Sequence, residues 1–223
     1  MLVAVIVFPG TNCEIDTKYA FEKLGQDVTL VFHKEEQLPK GTSLVVLPGG
    51  FSYGDYLRSA AIAKFSPIMK AVITFANEGG KVLGICNGFQ MLLEAHLLPG
   101  AMKRNENVHF ISKFQHLKVI NNNNAFLQEY AVNDILNVPI AHGEGSYFID
   151  QDGLNALYAN EQVLLTYCDE KGDVANPNGS IDSIACITNK NKNVFGLMPH
   201  PERAIELILG SDDGVKMLEG LIK

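Results

Sequence analysis

The sequence contains no tryptophan, only four cysteines and no run of basic residues. Lysine and arginine together number 18, against 25 aspartates and glutamates, so the formal net charge is −7. Without a basic face that could neutralise phosphates, nucleic acids and anionic membranes are not expected partners. The four cysteines include no C-x-x-C pair, so neither a structural zinc site nor any other metal site is expected in this chain.

Long hydrophobic runs are also absent. The apolar stretch at residues 1–8 is too short to span a bilayer and has no basic flank. It therefore does not resemble an export signal, and we expect the cysteines to be reduced thiols in the cytoplasm. The 223 residues, 47% of them hydrophobic, are enough to form a core without disulfides or metals. No repeat or linker divides the chain, which predicts a single domain over residues 1–223.

Short β-branched segments alternate with amphipathic segments in the first half of the chain, which predicts an α/β fold. The predicted strands are 2–8, 28–33, 43–47 and 81–85, and the predicted helices are 14–24, 67–77 and 87–97. This order favours a mostly parallel central sheet with helices on both faces. The second half predicts strands at 116–120, 138–142, 163–168, 183–189 and 193–198, with helices at 201–209 and 212–222. Ligands of such sheets bind beyond the carboxyl ends of the strands.

The segment Gly84-Ile85-Cys86-Asn87-Gly88 joins a predicted strand to a predicted helix. This is the context of a nucleophile elbow, with sulfur in place of the usual hydroxyl oxygen. The glycines remove side chains that would clash in such a strained turn, and a helix N-terminus favours the reactive thiolate. The alternative is a small buried cysteine at the start of a helix. The two glycines favour the catalytic interpretation.

Cys13 is the alternative nucleophile, because it also lies between a predicted strand and a predicted helix. Asn12 can serve as the N-cap of that helix, which would explain the loop without catalysis. Cys168 and Cys186 lie within apolar runs and are expected in the core.

His200 is the strongest candidate for a base because of the segment Pro199-His200-Pro201-Glu202. Each proline disfavours the helical conformation for the residue before it, and in an extended segment residues two apart point the same way. Glu202 could therefore orient the imidazole and stabilise its protonated form. Alternatively, Glu202 interacts only with the N-terminus of the next helix. His142 ends another predicted strand and is a second candidate for a place near the site. A histidine whose ring is satisfied by backbone hydrogen bonds would explain this position equally well.

An acyl-transfer site also needs N–H donors for an oxyanion. The backbone N–H of Asn87, directly after the candidate nucleophile, is one. The other could come from Gly49-Gly50, at the end of an apolar strand, because glycine lets a backbone N–H approach a substrate closely. A simple turn would explain the glycine pair equally well.

Residues 84–90 together with residues 199–202 resemble the class I (triad) glutamine amidotransferases, which have a flavodoxin-like α/β fold. Further segments are similar to the glutaminase subunits of phosphoribosylformylglycinamidine synthases of purine biosynthesis, namely residues 8–13, 48–58, 104–105, 140–145 and 176–180. The resemblance runs from about residue 2 to 210. Ala60 and Cys186 stand where glycine is expected.

The resemblance implies that Cys86 attacks the side-chain amide of glutamine through a thioester, with His200 as base and then acid. It implies that Glu202 orients His200, and that Gly50 and Asn87 donate to the oxyanion. The substrate-binding positions that it implies are Gly49, Gln90, His142, Gly143 and Glu144.

The resemblance also implies partners. Ammonia would pass to a separate large synthetase subunit, which uses ATP and Mg²⁺ to aminate formylglycinamide ribonucleotide, and a small accessory subunit is expected as well. The chain has no G-x-x-x-x-G-K-[ST] loop of its own and is expected to hold no cofactor. Two other functions stay open from the residues alone, a stand-alone cysteine hydrolase and a binding module with a structural Cys86. The H-x-E pairing and Gln90 speak against the hydrolase.

Overall fold

The computed structural model describes residues 1–223 and is built around a nine-stranded β-sheet. The strands are β1 (Leu2–Val7), β2 (Asp27–Phe32), β3 (Thr42–Leu47), β4 (Lys81–Ile85), β5 (Ala101–Lys103), β6 (Ile111–Val119), β7 (Ile135–His142), β8 (Ser146–Phe148), β9 (Val163–Cys168), β10 (Ile184–Thr188) and β11 (Val194–Leu197). The helices are α1 (Glu14–Lys23), α2 (Pro67–Asn77), α3 (Asn87–Glu94), α4 (Gln151–Ala159) and α5 (Val215–Leu221).

The strand order of the large sheet is β2-β1-β3-β4-β11-β10-β9-β6-β7, and β5 pairs with β8 in a separate two-stranded ribbon. The strands from β2 to β11 run parallel to one another. The strands from β10 to β7 continue the sheet in antiparallel pairs. The predicted α/β class with a mainly parallel central sheet is thereby confirmed. The antiparallel part comes from the second half of the chain, where only one α-helix, α4, lies between strands.

The central strands are buried on both faces. Residues 3–6 of β1 and 44–47 of β3 are fully buried. Because consecutive strand residues point to opposite faces, both faces of the sheet must be covered. Buried side chains from both halves of the chain form one hydrophobic cluster of 55 residues. No helix combines the length and the apolar character that crossing a membrane requires.

The predicted helix at 201–209 is wrong. The chain instead forms two three-residue 3-10 turns, Pro201–Arg203 and Leu207–Leu209. Between them Glu206 is extended, and its carboxylate accepts from Lys23 Nζ and from the Tyr19 hydroxyl, each at 2.6 Å. The carbonyl of Ala204 accepts from the N–H of Gly214 at 2.7 Å, and Glu206 pairs with Ser211 in an isolated antiparallel bridge. These backbone contacts with the following segment replace the hydrogen bonds that a helix would make.

The ends of several strands meet at one place. The parallel strands β3, β4 and β11 are neighbours, so the residues that follow them lie at the same edge of the sheet. β7 is brought to this edge by the backbone N–H of His200, which donates to the carbonyl of Pro139 at 2.8 Å. The residues predicted to carry chemistry lie at the ends of these four strands or directly after them.

Candidate active site

Cys86 lies on a sharp turn between β4 and α3. Its backbone has φ 51° and ψ −105°, outside the regions that residues with a side chain ordinarily occupy. A Cβ at Gly88 would collide with the carbonyl oxygen of Leu47, and a Cβ at Gly84 would lie 2.7 Å from the Gly88 backbone. Both glycines are therefore required by close packing, and the turn has the strained form that the sequence predicts.

His200 and Glu202 form a buried pair behind Cys86. Nδ1 of His200 lies 2.7 Å from Oε1 of Glu202, and both side chains are almost completely buried. Burial by itself lowers the pKa of His200. The Glu202 carboxylate, with the thiols of Cys86 and Cys13, outweighs burial and holds this pKa well above its usual range.

The pairing of His200 with Glu202 has a local cause. The carbonyl of His200 accepts from the N–H of Arg203 at 3.1 Å, so a tight turn brings the two side chains together. The predicted pairing is present, but a turn makes it rather than an extended segment. No α-helix follows Glu202, so the alternative role at a helix N-terminus has no support.

Gly49 has no side chain, and this leaves room for His200 to lie close to Cys86. A Cβ at Gly49 would lie 2.8 Å from Cε1 of His200 and 3.5 Å from Cβ of Cys86. Nε2 of His200 is buried without a hydrogen-bond partner, and Sγ of Cys86 lies 3.6 Å from the carbonyl oxygen of Ala141. The nitrogen that would accept a thiol proton is therefore free. Catalytic hydrogen bonds often form only once substrate is bound.

Cys13 is the other thiol close to the histidine. Its Sγ lies within 4.8 Å of ligand atoms of both His200 and Glu202. Cys13 is itself the N-cap residue of α1 and no side chain caps that helix, so the prediction that Asn12 is the N-cap is wrong. Cys13 does not line the open cavity, whereas Cys86 does. Accessibility to a ligand therefore favours Cys86 as the nucleophile.

Three other noted positions have simple structural roles. Cys168 and Cys186 are buried in β9 and β10, as expected for core residues. Ala60, where glycine is expected, has φ 63°, a left-handed backbone that glycine adopts at less cost.

The two candidate oxyanion donors are free. Gly50 has φ 140°, and a Cβ there would lie 2.7 Å from the backbone nitrogen of Asn12. The carbonyl of Gly49 accepts from the N–H groups of Asn12 at 3.5 Å and Cys13 at 3.3 Å. Because this peptide is trans, the N–H of Gly50 points the opposite way, and it has no acceptor in the protein. The N–H of Asn87, in the first turn of α3, has none either.

A cavity of about 280 Å³ opens in front of Cys86. It is lined by six of the predicted site residues, namely Gly50, Cys86, Gln90, His142, Gly143 and Glu144. Asp55, Ser59 and Arg104 also line it and were not predicted. The predicted residues Gly49, Asn87, His200 and Glu202 do not line it. The site is thus a small cavity lined by both polar and apolar side chains, with the nucleophile in its wall.

Gln90 connects α3 to the loop after β7. Its Nε2 donates to the carbonyl of Glu144 at 2.6 Å, and its Oε1 accepts from Nδ2 of Asn87 at 2.7 Å. Asn87 in turn accepts from the N–H of Ser52 at 3.0 Å. Two predicted positions, Gln90 and Glu144, are therefore joined in one hydrogen-bonded wall of the cavity.

Two asparagines that the sequence reasoning left without a role hold the loop after β7. Nδ2 of Asn178 donates to Nε2 of His142 at 3.0 Å and to the carbonyl of Gly145 at 2.8 Å. Asn105 donates to the carbonyl of His142 and accepts from the N–H of Gly145. Burial, with a smaller effect of His200, lowers the pKa of His142 to about 4, so its ring is neutral at neutral pH. The only signal for these asparagines was their place in the family-like segments 104–105 and 176–180.

Comparisons with known proteins show the family of the chain and its fold. A family model described as the CobB/CobQ-like glutamine amidotransferase domain matches residues 1–213. Phosphoribosylformylglycinamidine synthase subunit PurQ of Sulfurimonas denitrificans is 64% identical over 223 residues, which is 100% of each chain. The same subunit of Wolinella succinogenes is 66% identical over 221 residues, 99% of each chain.

Solved structures give the same result. A chain in the structure of PurLQS from Thermotoga maritima superposes with a TM-score of 0.88 at 38% identity, over 99% of this chain and 97% of that one. A glutamine amidotransferase from Thermotoga maritima, 19% identical, has a TM-score of 0.64 over 100% of this chain and 96% of its own, and it supports the fold alone.

Proposed function

The chain belongs to the family of CobB/CobQ-like glutamine amidotransferase domains, and from this membership we propose that Cys86, His200 and Glu202 are its catalytic triad. The protein is an enzyme, the glutaminase subunit of phosphoribosylformylglycinamidine synthase in purine biosynthesis. The observation that carries the triad is the buried His200–Glu202 pair, 2.7 Å apart, behind a cysteine on a strained turn. The proposal takes residues 1–223 as one glutamine amidotransferase domain.

The first half of the reaction forms the thioester. The Cys86 proton passes to Nε2 of His200, whose raised pKa favours the ion pair of thiolate and imidazolium, and the thiolate attacks the side-chain amide carbon of glutamine. The N–H groups of Gly50 and Asn87 bind the resulting oxyanion. When the carbon–nitrogen bond breaks, the imidazolium protonates the leaving nitrogen, and ammonia departs. Glu202 keeps the imidazolium oriented and neutralises its charge.

The second half releases glutamate. His200 takes a proton from water, which attacks the thioester carbon, and the same two N–H groups bind the second oxyanion. Collapse of this intermediate breaks the carbon–sulfur bond and returns the proton to Cys86. Gln90 and the backbone of the His142–Glu144 loop hold the substrate, and Gly49 leaves the space that His200 occupies.

The ammonia is used by another subunit. The related Thermotoga chain belongs to a PurLQS assembly, and we propose that this chain likewise docks on a large synthetase subunit with a small accessory subunit. The synthetase would use ATP and Mg²⁺ to aminate formylglycinamide ribonucleotide with the ammonia. A cytoplasmic location stays a prediction, and it would keep the Cys86 thiol reduced.

We predict that the chain alone is a poor glutaminase and that its synthetase partner activates it. Free hydrolysis would waste glutamine, and the peptide between Gly49 and Gly50 offers a switch. The orientation that leaves the N–H of Gly50 free is held by two long hydrogen bonds, from Asn12 and Cys13 to the carbonyl of Gly49, so the peptide can leave it at little cost. Since one oxyanion donor is worth about 10²–10³ in rate, a partner that favours the competent orientation by roughly 3–4 kcal/mol would provide this control.

Steady-state ammonia release from glutamine tests this prediction. It is measured for the chain alone and for the chain with the synthetase subunit, ribonucleotide and nucleotide. We expect kcat/KM to rise about 10²–10³-fold in the complex. Equal values in both conditions would contradict the switch but not the triad, whereas no ammonia release in either would contradict the proposed function.

Glu202 is predicted to be less critical than the other triad members. Glu202→Gln keeps a hydrogen bond to His200 but not the charge that stabilises its imidazolium, so kcat should fall less than in a His200 variant. Glu202→Ala loses both and should be worse than Glu202→Gln. The measurement is kcat for glutamine in the complex, and wild-type turnover by both variants would remove Glu202 from the triad.

A further inference from the structure

The cavity in front of Cys86 contains two carboxylates that the mechanism does not use. Asp55 and Glu144 both line it. Oε2 of Glu144 accepts from the Ser59 hydroxyl at 2.7 Å, and Oδ1 of Asp55 lies 3.3 Å from Nδ2 of Asn87. These hydrogen bonds fix both carboxylates close to the turn that carries the nucleophile.

Only one cationic side chain lies beside this pair, and it is exposed to solvent. Arg104 is the one cationic side chain that lines the cavity, and its Nε lies 3.5 Å from Oε1 of Glu144. Arg104 is 76% exposed, so its charge is largely screened by solvent. His142, the other basic side chain there, is neutral at neutral pH. The side chains that line the cavity therefore carry an excess of negative charge.

The ionised form of Asp55 is destabilised in this cavity. Burial first, and then the charge of Glu144, raise the pKa of Asp55 to about 6. A cation placed between the two carboxylates would offset both effects. It would replace the hydration that Asp55 loses on burial, and it would offset the repulsion between Asp55 and Glu144. The cavity is thus prepared electrostatically for a positively charged group.

The backbone that presents Asp55 is also strained and firmly held. Tyr53, Gly54 and Asp55 all have left-handed backbones, with φ of 54°, 67° and 54°. The Tyr53 hydroxyl is fixed by hydrogen bonds to Nδ1 of His33 at 2.7 Å and to Oγ of Ser66 at 2.8 Å. Such strain persists only where surrounding contacts enforce it, and it is frequent at ligand sites.

We propose that Asp55 and Glu144 bind the α-ammonium group of the substrate and thereby select an α-amino acid amide. This inference rests on the proposed function, because it concerns the far end of the glutamine whose amide meets Cys86. With the α-ammonium group bound by Asp55 and Glu144, the α-carboxylate of glutamine would be bound by the backbone of the loop after β7 and by Arg104 at the rim of the cavity. The Glu144 side chain thus acts in addition to the backbone role that the family resemblance implies.

The test compares glutamine with glutaramate, which has the same side-chain amide and carboxylate but no α-ammonium. Ammonia release is measured in the complex with the synthetase, and the quantity of interest is the ratio of kcat/KM for glutamine to that for glutaramate. Hydrogen-bonded charge pairs contribute enough binding for us to expect Asp55→Asn to lower this ratio on the order of 10- to 100-fold. The loss should appear mainly in KM for glutamine.

Two further variants make the result decisive. Glu144→Gln should lower the same ratio. It provides an independent measurement if Asp55→Asn folds poorly. Glu78→Gln removes one negative charge from an exposed position outside the cavity and should leave the ratio unchanged. If Asp55→Asn and Glu144→Gln lower both substrates equally, or lower neither, the ammonium site is wrong. A wild-type complex that releases no ammonia from glutamine would instead contradict the proposed function.

Discussion

Replacement of Cys86 by serine is expected to abolish glutamine-dependent synthesis by the complex and to leave ammonia-dependent synthesis intact. The variant preserves the strained turn and the shape of the side chain, but a hydroxyl is a far weaker nucleophile than a thiolate at neutral pH. Loss of a triad nucleophile costs on the order of 10⁴–10⁶ in rate. The measurement is product formation with glutamine and, separately, with ammonium salt.

Cys13→Ser is the matched control, because it makes the same change in the neighbouring buried thiol that does not line the cavity. We expect a much smaller loss of glutamine-dependent activity than in Cys86→Ser. Substantial glutamine hydrolysis by purified Cys86→Ser, together with its loss in Cys13→Ser, would transfer the nucleophilic role to Cys13.

Replacement of His200 by alanine is expected to be nearly as damaging. Formation of the thiolate and protonation of the leaving ammonia both depend on this imidazole, so we expect a loss of about 10⁴–10⁶ in kcat. Alanine also leaves the carboxylate of Glu202 buried without its partner, and breaking such a pair costs roughly 3–5 kcal/mol of stability. Ammonia release and thermal unfolding are therefore measured on the same preparation.

His200→Asn separates catalysis from folding. The asparagine amide can still donate to Oε1 of Glu202, so the fold should survive better, but it cannot accept the thiol proton. We expect it to be as inactive as His200→Ala and more stable to heat. Glutamine turnover close to wild type in a folded His200→Asn complex would exclude His200 as the base.

The elbow could be predicted because its cause is local. Gly84 and Gly88 stand on either side of Cys86, and their close contacts arise within the turn and with β3. The pairing of His200 with Glu202 is also local, since one tight turn makes it. Short-range sequence patterns are sufficient for features of this kind.

Features made by distant parts of the chain could not be predicted. Asp55 faces the cavity at the end of a left-handed turn over residues 53–55, and hydrogen bonds of the Tyr53 hydroxyl to His33 and Ser66 hold that turn in place. Asn178 reaches His142 across 36 residues of sequence. The prediction of a helix at 201–209 was wrong because the backbone of Ala204 and Glu206 pairs instead with Gly214 and Ser211.

The most direct test of the triad is to identify the cysteine that carries the glutamyl group during turnover. The complex is mixed with glutamine, quenched in acid and digested, and the cysteine-containing peptides are analysed by mass spectrometry. The account predicts a glutamyl adduct on the peptide that contains Cys86, and no adduct there when glutamine is omitted or when serine replaces Cys86. A glutamyl adduct on the Cys13 peptide with Cys86 unmodified would contradict it.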